Sequence, residues 1–126
     1  MSDTVSVIVA AFNMAETLPR ALESALSQTW PVHEIIVVDD GSHDGTLDVA
    51  NRFARRHRNV HVLQGLVNHG PGYARNVAID ASSGNWIALL DADDRWSPDR
   101  LQTLIPLANE AGADLQADNL FLVHPR

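Results

Sequence analysis

Two alternating periods constrain this sequence most. Val5–Ala11, VSVIVAA, is a continuous, largely β-branched run, the pattern of a strand buried on both faces. Leu18, Leu22, Ala25 and Leu26 then recur at i, i+4, i+7 and i+8, one face of a helix. Glu34–Asp40, EIIVVDD, is a second buried run. A second helix is expected from about Gly45 to His57, with Leu47, Ala50 and Ala54 inward and Asp44 or Ser42 as its N-cap. Val60–Gln64 reads as a weaker, alternating strand, and Pro71 suits the first turn of a helix through GPGYARNVAIDAS. Trp86–Leu90 is a fourth strand. Ser97-Pro98 opens another helix with Leu101, Leu104, Ile105 and Ala108 inward, and Pro106 is expected to kink it. Ala113–Val123 reads as one last strand. Buried strands alternating with amphipathic helices define an α/β fold, a mostly parallel sheet flanked by helices and joined by right-handed crossovers. Residues 1–126 read as a single domain.

In such sheets ligands bind at the carboxyl ends of the strands. Here the first run is followed by AAFNMAE, the second by DDGSHDGT, the third by GLVNHGPGYARN and the fourth by DADDRW. The chemically distinctive residues therefore fall on one rim. The net charge of −7 disfavours nucleic acid and anionic surfaces as direct partners. Cysteine is absent, which excludes disulfides and thiolate metal sites; lysine is absent too, so all nine cationic side chains are Arg. The start MSDTVSV is not a signal peptide, and no apolar segment approaches the roughly 20 residues that span a bilayer. The expected location is the cytoplasm, or the inner membrane face as a peripheral protein.

On that rim, Asp91 and Asp93 stand two apart. In extended chain they would point the same way, with Cα atoms ~6–7 Å apart, close enough to share one hard cation. Mg²⁺ or Mn²⁺ suits such oxygen ligands when substrate phosphates complete the shell. The plain alternative is a solvated acidic loop, with Asp94 or Asp99 favouring the next helix's dipole. Asp39 and Asp40 end the second strand beside Gly41-Ser42, a small turn with room for a flat ligand. A carboxylate there could accept a base N–H, whereas a turn or cap is the plain reading, one that suits Asp44. Arg75 lies one turn into a helix that starts on the same rim, a diphosphate site in outline, or else a surface arginine paired with Asp80 or another acid. Phe12 could stack on a base or belong to the core. The six histidines show no ligand spacing.

VSVIVAAFNMAETLPRALESALSQTWPVHEIIVVDDGSHDGT, NHGPGYARNVAIDASSGNWIALLDADD and SPDRL together resemble the N-terminal half of family 2 glycosyltransferases. That resemblance implies the Rossmann-like GT-A fold that binds nucleotide-diphospho-sugars, and transfer of a sugar from such a donor, usually with inversion. UDP is the commonest donor nucleotide. The resemblance further implies that Ala10, Ala11, Phe12 and Glu16 lie along the nucleotide-sugar site. Asp40 would contact the base beside Asp39, and Arg75 would lie near the nucleotide. Asp91, Ala92 and Asp93 would form the DxD motif, with Asp91 towards the ribose and Asp93 on the Mg²⁺ or Mn²⁺. The acceptor, a glycan, lipid or polysaccharide, and the catalytic base belong to a C-terminal half that this sequence does not reach. No catalytic residue is therefore assigned within it. A nucleotide-sugar-binding module without transferase activity is the alternative. A dehalogenase-type phosphatase or a response-regulator receiver would require a lysine. A dinucleotide-binding domain would require G-x-G-x-x-G after the first strand.

Overall fold

The computed structural model describes residues 3–110 in full and the backbone of strands Leu115–Ala117 and Phe121–Val123. Elements run β1 (Val5–Ala11), α1 (Leu18–Leu26), β2 (Glu34–Asp40), α2 (Thr46–Arg56), β3 (Val60–Gly65), α3 (Pro71–Ala81), β4 (Trp86–Leu89), α4 (Arg100–Glu110), β5 (Leu115–Ala117) and β6 (Phe121–Val123). The sheet order is β3-β2-β1-β4-β6-β5. β1 pairs in parallel with β2 and β4, and β2 with β3. β6 is antiparallel to both β4 and β5. The expected mostly parallel sheet is thus present, with one antiparallel edge.

β1 explains the layering. Val5, Val7 and Val9 are buried on one face against Leu18 and Leu22 of α1, Val49 and Ala50 of α2, and Leu101 and Ile105 of α4. Ile8 points the other way, with Ile36, Val38 and Ile87, onto Ala74 and Ala78 of α3. Period-two alternation on a strand covered from both sides yields the unbroken apolar run seen in the sequence.

Three details differ from the sequence expectation. α2 turns Thr46, Val49 and Ala50 inward and leaves Leu47 half-exposed, because Val49 and the half-buried Phe53 form the stripe facing the core. Its N-cap position is Gly45, yet Asp44 does the capping: its Oδ1 accepts the Thr46 N–H at 2.9 Å. The segment expected as one last strand is instead two three-residue strands paired antiparallel. Pro106 lies inside α4, as the sequence placed it, and the helix extends to Glu110.

Candidate functional site

Strand order sets the location of the site. The chain lays β2 and β3 on one side of β1, then crosses back to place β4 on the other. Connections leaving β1 and β4 therefore diverge, and a crevice opens at their carboxyl ends. A cleft of about 240 Å³ lies there. The end of β1 contributes Ala10, Ala11 and Phe12; the end of β2 contributes Asp40; the start of α3 contributes Pro71 and Arg75; and the segment after β4 contributes Asp91, Ala92 and Asp93. Eight of the ten residues singled out from the sequence meet in this one cleft. Glu16 and Asp39 do not line it. Glu16 is exposed in a separate shallow depression with Asn13 and Asp44. Asp39 is only 2% exposed, and its Oδ1 accepts the Ser42 N–H at 3.4 Å, the turn role open to such a residue.

Asp91 and Asp93 are not held in extended chain. β4 ends at Leu89, and the Asp94 N–H donates to the Asp91 carbonyl at 3.0 Å, closing a turn over Ala92 and Asp93. The small Ala92 side chain is buried at 4% exposure, which fixes the turn against the core and leaves both carboxylates on the cleft. The Arg75 guanidinium reaches across from α3, its Nη2 donating to Asp91 Oδ1 at 3.1 Å. With the two side chains 38% and 62% exposed, this pair contributes at most about 1 kcal/mol. It does bring a cation beside three closely spaced acids, and the Asp80 pairing open in the sequence is not the one formed.

Asp40 has a task the sequence did not reveal. Its side chain is 4% exposed, and it receives two backbone donors from the β3–α3 loop. Oδ1 accepts the His69 N–H at 3.0 Å and Oδ2 accepts the Gly70 N–H at 2.9 Å. Asn68, another cleft residue, shares the Gly70 N–H through its Oδ1 at 2.9 Å. Gly41, at φ +77, lets the loop pass so closely that a Cβ there would stand 2.8 Å from the Val67 carbonyl carbon and the Asn68 nitrogen. Asp40 and Gly41 therefore latch the loop that starts α3 and aims Arg75. Met14, Asn68 and Pro71 complete the lining; Asn68 and Pro71 lie in the NHGPG stretch already placed on the rim, while nothing local marks Met14.

Among the described residues no three His, Cys, Asp or Glu side chains converge on a metal position. The Asp40 and Asn68 oxygens on the cleft already accept loop N–H groups, whereas Asp91 and Asp93 offer carboxylates, which fits a Mg²⁺ or Mn²⁺ that takes one or two carboxylates and completes its shell with ligand phosphates. No helix among the described residues is long and apolar enough to cross a membrane.

A parallel α/β domain with an acid- and arginine-rimmed cleft at its topological switch point is a nucleotide-binding architecture. Residues 6–123 match the profile of glycosyl transferase family 2, and the chain belongs to that family. It is 45% identical over 119 residues to the succinoglycan biosynthesis protein ExoO of Rhizobium meliloti, covering 94% of this chain and 34% of that protein. It superposes on Staphylococcus aureus TarS (residues 1–349), solved with UDP-GlcNAc, with a TM-score of 0.81 and 31% identity over 89% of this chain and 33% of that one. The Pyrobaculum calidifontis mannosyltransferase PcManGT, solved with GDP-Man and Mn²⁺, matches with a TM-score of 0.71 and 29% identity over 82% of this chain and 31% of that one. The fold is GT-A, as the motifs implied. The chain spans about a third of the length of these relatives.

Proposed function

We propose that this chain is the donor-binding unit of a glycosyltransferase that moves a sugar, with inversion, from a UDP-sugar to a glycan, lipid or polysaccharide acceptor. The observation that carries the reading is the convergence of Phe12, Asp40, Arg75, Asp91 and Asp93 on one cleft at the β1/β4 switch point. The structures of TarS with UDP-GlcNAc and of PcManGT with GDP-Man support a nucleotide-diphosphate donor.

In this reading Ala10 and Ala11 give the nucleoside a flat floor, since small side chains leave the strand end open. Phe12, 38% exposed at the mouth, stacks on the base. Asp40 keeps lone pairs beyond its two loop contacts, and one of them accepts a base N–H. Arg75 pairs with diphosphate oxygens as well as Asp91. Asp91 and Asp93 hold Mg²⁺ or Mn²⁺, which supplies Lewis-acid stabilisation of the departing diphosphate. The base that deprotonates the acceptor hydroxyl lies outside these residues, and the described segment acts as one domain.

Calorimetric titration of UDP with Mn²⁺, and again with EDTA, tests the reading. An acidic rim repels a bare diphosphate, so affinity should fall at least about tenfold when the cation is removed. Equal affinity in both conditions removes the metal role of Asp93, and no binding in either removes the donor site.

A further inference from the structure

A second concave site lies on the opposite face of the sheet from α3, where α1 meets the segment that follows the acidic turn. The groove measures about 700 Å³, large enough for one or two sugar rings. Arg20 and Glu23 of α1 form one wall, and Arg95, Trp96 and Ser97 form the other.

The walls are fixed to each other. The Trp96 N–H donates to Ser24 Oγ at 3.1 Å, Gln28 Nε2 donates to the Ser97 carbonyl at 2.7 Å, and the Leu101 N–H donates to Gln28 Oε1 at 3.0 Å. The Thr29 N–H adds a bond to the Pro98 carbonyl at 2.9 Å. Gln28 is buried while making these contacts. The groove is thus a built cavity with Trp96 at its back, only 6% exposed.

Its hydroxyls are already spent as donors. Ser24 donates to the Ala21 carbonyl, Ser27 to the Glu23 carbonyl and Ser97 to Asp99. The guanidiniums are not: among the described residues neither Arg20 nor Arg95 forms an ion pair, even with Glu23 beside them. In a chain of net charge −7, a groove whose free donors are two arginines selects an oxyanion.

We infer that this groove binds a saccharide carrying a phosphate or carboxylate group, held by Arg20 and Arg95. Only one residue, Asp94, separates Asp93 on the donor cleft from Arg95 on the groove, so the two sites adjoin on one short segment and a saccharide bound in the groove is an acceptor candidate. That it serves as the acceptor rests on the transferase reading above; the binding itself does not.

The test is an amide NMR titration of the chain with glucuronate, glucose 1-phosphate and neutral glucose, each with and without prior saturation by UDP and Mn²⁺. Shifts confined to residues 20–28 and 95–98, with either anionic sugar and not with glucose, are expected. Arg20→Gln with Arg95→Gln should weaken that binding by about tenfold or more, and Glu23→Gln should tighten it, since it removes a like charge. A response to one anion alone names the group and upholds the site. Shifts by glucose equal to those by the anions, no shifts, or a double variant that binds as well as the parent overturn it. UDP titration in the same samples reads the donor cleft separately, so either site can fail without the other.

Discussion

Gly41→Ala should damage both the fold and the cleft, and the size of the effect follows from the geometry at the end of β2. At φ +77 a residue with a Cβ pays about 1–2 kcal/mol relative to glycine. The new methyl would also sit 2.8 Å from the Val67 carbonyl carbon and the Asn68 nitrogen, both backbone atoms that no rotamer change can move. Relief requires the 67–70 loop to shift, and that shift stretches the Asp40 contacts to the His69 and Gly70 N–H groups. Loss of one hydrogen bond to a charged acceptor costs a further ~1.5–3 kcal/mol. The sum is about 2.5–5 kcal/mol, measured as the change in urea unfolding free energy, together with weaker UDP binding because Arg75 follows the loop. Gly72→Ala is the control: a Cβ there meets nothing within 4 Å and lies in the first turn of α3. It should leave stability unchanged or raise it by up to ~1 kcal/mol. A Gly41→Ala variant within about 0.5 kcal/mol of the parent, the usual range for surface substitutions, refutes the latch.

Leu22→Ala should cost about 2–5 kcal/mol by denaturant unfolding, since Leu22 is fully buried between α1 and the sheet. Asp40→Asn places an amide N–H₂ against a loop N–H and should cost about 1–3 kcal/mol of stability with or without ligand; Asp93→Asn should leave stability nearly unchanged and remove most of the metal-dependent gain in UDP affinity. Glu34 sets an acid limit. Its burial opposes the charge, but the donors Ser6 Oγ–H and Ser83 N–H and O–H, with His33 nearby, outweigh that and hold its carboxyl below 4.5. A depressed native value contributes stability above the unfolded value, lost as pH falls through the native one. Stability should therefore drop below about pH 4.5, and Glu34→Gln, lower at neutral pH, should show a shallower drop.

Much of the fold was legible because β1 and β2 are buried on both faces, and their apolar runs coincide with the strands observed at Val5–Ala11 and Glu34–Asp40. The rim was legible for the same reason: once strands are placed, so are their carboxyl ends. What stayed hidden depends on distance along the chain. Asp40 latches residues 29 and 30 positions away. Ser6 of β1 and Glu34 of β2 form a buried hydrogen bond that Ser83 of the α3–β4 loop, 49 positions from Glu34, joins. On α2, Ala50 and Ala54 face the core as the periodicity implies, but Val49 takes the place expected for Leu47, because the two lie on competing stripes and packing against β3 and α1, not periodicity, chooses between them. Asp91 and Asp93 were expected on an extended strand, but β4 stops at Leu89 and a turn carries them instead.

The central claim is that the β1/β4 cleft is where a nucleotide-diphosphate donor sits. A crystal structure of the chain grown with UDP and Mn²⁺ tests it most directly. The diphosphate should lie between Arg75 and the Asp91–Asp93 turn, with the cation on Asp93 and the uracil against Phe12 near Asp40. A nucleotide bound elsewhere, or a cleft left without ligand at saturating UDP and Mn²⁺, would contradict the account.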